Sequence, residues 1–144
     1  MIDRTIFALM TLCVTTVMLA ACNQEERPGE VETFDAISDD EVITLLGTEP
    51  FWSMEIKQGV MLYTTPENPE GEAATVSRFA GNNGLGMIGE LGGEALAIAI
   101  TPGQCSDAMS DRTYPYYATV TIGSEQLNGC GYTDQQPFAG AAAP

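Results

Sequence analysis

Short runs of alternating apolar and polar residues, separated by Gly, Pro and Asn, recur between about residues 42 and 130 of this chain. A period of two sends successive side chains to opposite faces of a strand, so each run predicts a half-buried β-strand. Residues 42–47 are the first. Residues 51–56 follow, with Trp52, Met54 and Ile56 on one face, and residues 60–65 set Val60 and Leu62 against Met61 and Tyr63. Gln58-Gly59 between those two runs predicts a tight hairpin. "TTPENPEG" predicts a turn or loop, residues 73–79 a further strand, and the glycine-rich "GNNGLGMIGELGG" a series of bends or bulges. In residues 94–101, Leu96, Ile98 and Ile100 alternate with alanines, a large-and-small pattern suited to a curved sheet around a tight core. Residues 116–122 and 125–130 pair across Gly123-Ser124. Helical periodicity amounts to one turn near Asp39. The fold class is therefore all-β: a small antiparallel barrel or sandwich of about seven to eight strands.

The ends differ from this middle. Residues 1–21 carry Arg4, a mostly apolar stretch and then small residues, the layout of a secretory signal, and are set apart from the fold. Leu19-Ala20-Ala21-Cys22 resembles the bacterial lipobox, in which cleavage leaves an N-terminal cysteine that is then acylated. Two or three acyl chains anchor stably where one is marginal. Ordinary cleavage after Ala21, leaving Cys22 a free thiol, is the alternative. Residues 22–38 form an acidic, flexible spacer, residues 39–134 the β-domain and residues 135–144 a disordered tail. Asn23, rather than Asp, follows the cysteine, which by analogy directs such a lipoprotein to the outer membrane, facing the periplasm.

Cysteine use agrees with an oxidising compartment. Cys13 leaves with the signal and Cys22 takes lipid, so Cys105 and Cys130 remain to form one disulfide. The chain has no histidine and no C-x-x-C, which disfavours zinc and haem, and no cofactor is expected. Signal removal takes one acid, Asp3, and one base, Arg4, so the net charge stays at −15. Nucleic acid is excluded as a partner, because phosphate binding needs a basic surface. The charge serves solubility or an acidic docking face.

Catalytic constellations are weak. Without histidine no Ser-His-Asp arrangement exists, and Ser53 with Lys57 lacks an environment to depress the amine. Asp107 and Asp111 are the remaining carboxylate pair for hydrolysis or calcium, but their spacing matches no complete loop motif. Gly84 to Gly89 spells G-x-G-x-x-G with no helix to follow it. The expectation is a protein that is not an enzyme. In "CSDAMSDRTYP", Ser106, Asp107, Ser110 and Asp111 are residue types that close turns onto backbone N–H groups. Arg112 can fork onto a carboxylate, and Tyr114 is held extended by Pro115. Asp107, Ser110, Asp111, Arg112 and Tyr114 form the candidate binding loop.

"GTEPFWSMEI", "LYTTPE" and "CSDAMSDRTYPYYATVTIG", followed by "LNGC", resemble a group of small, uncharacterised bacterial envelope lipoproteins, some relatives of which are fused to domains of the lysozyme-inhibitor or META type. The resemblance implies a small exported β-barrel. It also implies a non-catalytic binding or envelope-maintenance module, or alternatively a lysozyme-inhibitor-like protein that binds a basic hydrolase through Ser110 to Tyr114. Its partners would be the membrane, through the lipid, and a cationic envelope protein or lysozyme. "SDRTY" departs from the Ser-Gly-x-x-Tyr loop of such inhibitors at its second position. Ala108 also stands where the group's pattern has glycine, which predicts a less strained loop at that point.

Overall fold

The computed structural model describes residues 33–141. Eight strands follow in order: β1 (Ile43–Thr48), β2 (Phe51–Lys57), β3 (Val60–Thr65), β4 (Asn68–Ala80), β5 (Leu85–Leu91), β6 (Glu94–Cys105), β7 (Tyr114–Ile122) and β8 (Glu125–Thr133). Each pairs antiparallel with the next, and β8 returns to β1 from Ile43↔Thr133 to Leu46↔Cys130, closing a barrel. Closure removes the unpaired sheet edges that a sandwich keeps. Gln58 and Gly59 both take positive φ, 50° and 77°, as the favoured hairpin turn requires.

Two elements differ from the sequence expectation. "TTPENPEG" holds the expected turn only at Pro66-Glu67, because β4 starts at Asn68 and pairs back through Thr65↔Asn68, with a register shift between Tyr63 and Thr65. That irregular start is where Pro69, lacking an N–H, is tolerated. The glycine-rich stretch contains β5. Leu85, Met87 and Leu91 point inward there, while Gly86 lies beneath the Phe79 ring, which a Cβ would meet at 2.1 Å.

The barrel interior holds Leu45, Met54, Met61, Ile100 and Val120, all fully buried, with Leu96 and Ile98 inward and their alanine neighbours outward. An eight-stranded barrel is just wide enough for side chains to fill. Each buried Leu or Ile contributes about 1.5–3 kcal/mol. On β3 the faces are Met61 in, Val60 and Leu62 out.

One end of the barrel is plugged by residues 34–41. The Phe34 amide donates to Gly81 O at 2.8 Å, and Ile37 is buried in the core. Arg78 donates to the carbonyls of Ile37 and Ser38 and pairs with Asp39 at 2.9 Å. Burial pushes the Glu41 carboxyl up, but donors from Thr133 and Ser38 outweigh it and hold it below its ordinary value. Two expectations are corrected here. The stretch from Phe34 to Ser38, assigned to the flexible spacer, is packed. So is part of the supposed disordered tail: Gln136 takes a hydrogen bond from Tyr116 Oη at 2.7 Å and gives one to Ala36 O.

Candidate functional site

Beyond Pro102 the β6–β7 register shifts, and β6 ends at Cys105, paired to Tyr114. The Cys105–Cys130 disulfide fixes this end to the outer face of β8, with the Cα atoms 5.6 Å apart. The connection from Ser106 to Thr113 then crosses the outside of the barrel as a strap. At its far side Thr48 Oγ1, at the end of β1, donates to Asp107 O at 3.1 Å. The expected disulfide is thus present and sets the strap's direction.

Asp107 is the hub of the strap. Its Oδ1 accepts from the amides of Met109 (3.0 Å) and Ser110 (2.8 Å), and its Oδ2 from Ser110 Oγ (2.8 Å) and Tyr114 Oη (3.1 Å). Burial raises the carboxyl pKa, but these donors prevail and bring it down from 3.8 to about 2. Ser106 Oγ accepts from Ala108 N and Ser110 Oγ from Arg112 N, each at 3.2 Å, so the serines close turns as their type predicts. Burial pushes the Tyr114 hydroxyl up, and the Arg112 guanidinium pulls it the other way.

The chain end braces the other side. Thr113 and Ala139 exchange backbone hydrogen bonds at 2.9 and 2.8 Å, and Arg112 Nε donates to Ala141 O at 2.9 Å. Arg112 also lies 4.6 Å above the Phe138 ring, a cation–π contact. Tyr114, Tyr132 and Phe138 form an aromatic trio whose ring centroids are 5.3 to 6.1 Å apart. With Cys105, Cys130 and Leu46 they make a second small core outside the barrel wall.

The structure brings Asp107, Ser110, Arg112 and Tyr114 together, but as the strap's interior. Tyr114 is only 1% exposed. Asp111 is exposed and does not share Asp107's hub, so the two carboxylates do not form a pair. Among the described residues no group of three or more metal-binding side chains gathers. Ser53 Oγ is bonded to Thr64 Oγ1 at 2.6 Å, and the G-x-G-x-x-G segment is largely strand β5. Cys22 lies outside the described residues. The expectation of a relaxed Ala108 is corrected, since its φ is 58°, in the left-handed region where glycine is at home.

The outward part of the site is apolar. Met109 is 67% exposed at the crest of the strap, and Phe51 is 51% exposed on β2. Between them runs a groove of about 520 Å³, floored by Leu46 and bordered by Pro66 and Arg112. A second groove of about 380 Å³ lies on the strap's other flank, against Glu49, Tyr117 and Asn128. Sequence reasoning missed Met109 and Phe51; the available signal was a lone large apolar residue in a polar loop and another beside Pro50. No known family, curated protein or solved structure matches the chain.

Proposed function

We propose that the protein is a lipid-anchored envelope module that acts by binding rather than catalysis, and that a cationic partner docks on the strap and its grooves. One observation carries the reading: the strap is fixed by the Asp107 hub, the disulfide and the chain end, yet exposes Met109 beside Phe51 on a chain of net charge −15. A pre-ordered loop loses little freedom on binding. Exposed Asp111, with Glu49 on the second groove, borders the apolar crest with negative charge, which steers a basic partner. Asp107, Ser110 and Tyr114 are engaged with one another, which supports a structural role for them rather than a chemical one. A lysozyme-inhibitor-like action would use Met109 and Asp111 at the contact, with Ser110 and Tyr114 behind it.

The test is a titration of the isotopically labelled mature chain, carrying Cys22→Ser, with a basic lysozyme at low and moderate salt. Shifts confined to Met109, Phe51 and their neighbours, weakening with salt, would establish the inhibitor-like case. Shifts spread around the barrel, or none, would remove lysozyme as the partner. Anchoring has its own test: labelled palmitate should enter the wild-type chain and not the Cys22→Ser chain, and an unlabelled wild type would contradict the anchor.

A further inference from the structure

The groove of about 380 Å³ on the strap's second flank has a floor set by strand register: Leu46, Cys130 and Tyr117 lie in one row across β1, β8 and β7. Met109 and the disulfide line its strap side, and Glu49, three residues beyond Leu46, stands at its far end. Tyr117 is held in place. Its ring lies against Gly103, where an added Cβ would meet it at 2.6 Å, and its Oη donates to Gln104 O at 2.7 Å. One face and the hydroxyl are thus engaged, so the other face of the ring, on a residue 49% exposed, is left open at the groove's margin.

We propose that this groove is a subsite for one arginine side chain of the partner, with the guanidinium stacked on the Tyr117 ring. The inference rests on the cationic-partner reading and names the side chain that partner presents. Among the described residues the charged side chains lining the groove are Glu49 and Asp107 alone, so its field favours a cation. Neither carboxylate is placed to pair with a charge resting on the ring. Asp107 is taken up by four donors, and Glu49 lies two strands and three residues from Tyr117, on the order of 14 Å away. An ammonium there would be a strongly hydrated point charge with nothing to pair. A planar, weakly hydrated guanidinium gains by lying flat on an aromatic face, which selects arginine over lysine. The methylenes of its stem rest against Met109 and the disulfide. The strap makes the same kind of contact internally, where Arg112 lies 4.6 Å above the Phe138 ring.

The test is a magnetic-resonance titration of the labelled mature Cys22→Ser chain at low salt with Nα-acetylarginine amide, its lysine counterpart and its uncharged citrulline counterpart. The arginine probe should shift the amides of Tyr117, Asn128 and Cys130 saturably, with a Kd on the order of 10 mM; the lysine probe should bind more weakly and the citrulline probe not at all. Tyr117→Leu should weaken arginine binding roughly two- to five-fold with circular dichroism unchanged, and Tyr117→Phe, which keeps the ring, should preserve it. Glu49→Gln should weaken both cationic probes alike. Lysine bound as tightly as arginine would overturn the proposal on the wild-type sequence alone, whatever Tyr117→Leu does to the fold. So would arginine binding unmoved by Tyr117→Leu in a folded chain. A basic protein that docks at Met109 and Phe51 equally well with and without the Tyr117 ring would overturn the subsite and leave the docking reading standing. An arginine probe seated on Tyr117 with no basic protein bound would do the reverse.

Discussion

Ala108 holds the strap at a backbone angle that disfavours it. At φ 58° its Cβ crowds the neighbouring carbonyl, which costs about 1–2 kcal/mol. The alanine also restricts the unfolded chain, a gain of about 0.4–1 kcal/mol that glycine forgoes. Ala108→Gly is therefore expected to raise stability by about 0.5–1 kcal/mol, read from urea midpoints at constant slope; a loss would contradict the left-handed position. Asp107 gives a pH signature. Its folded pKa of about 2 lies below the ordinary 3.8, so the carboxylate's contribution is complete above about pH 4 and fades as pH falls through 2. The stability gap between wild type and Asp107→Asn should be constant above pH 5 and narrow between pH 4 and 2; a gap independent of pH would contradict the hub. The turn-closing roles of Ser106, Asp107 and Ser110 were legible from residue type. The burial of Tyr114 was not, because Tyr132 and Phe138, which enclose it, come from elsewhere in the chain.

At the scale of elements, the strap depends on its tie to β8. The disulfide spans 25 positions, for which loop closure in the unfolded chain predicts a loss of roughly 3–4 kcal/mol in the Cys105→Ser/Cys130→Ser chain, measurable by denaturant unfolding. β8 approaches β1 closely at Gly129, where an added Cβ would meet Leu46 O at 2.0 Å. Gly129→Ala is expected to cost about 2–3 kcal/mol, since backbone must move; a thermal midpoint equal to wild type would disprove that approach. The alternation of Trp52, Met54, Ile56 and of Leu96, Ile98, Ile100 with small or polar residues made β2 and β6 legible. β5 was hidden because Gly86 and Gly89 carry no side chain to show period two, and β3 withheld its inner face because both of its faces are apolar.

For the whole molecule, local pattern specified antiparallel strands, but barrel or sandwich turned on one non-local pairing, β1 with β8, that no short window contains. The proposed function puts a basic partner on the strap face of the closed barrel. Photo-crosslinking in the living envelope tests that docking, with the reactive side chain placed at Met109, at Phe51 and, as a control, at exposed Gln126 on β8. A discrete adduct to a basic envelope protein is expected from positions 109 and 51, diminished by Glu49→Gln with Asp111→Asn and not seen from 126. Equal yields from all three positions, or an acidic partner that ignores the charge changes, would contradict it.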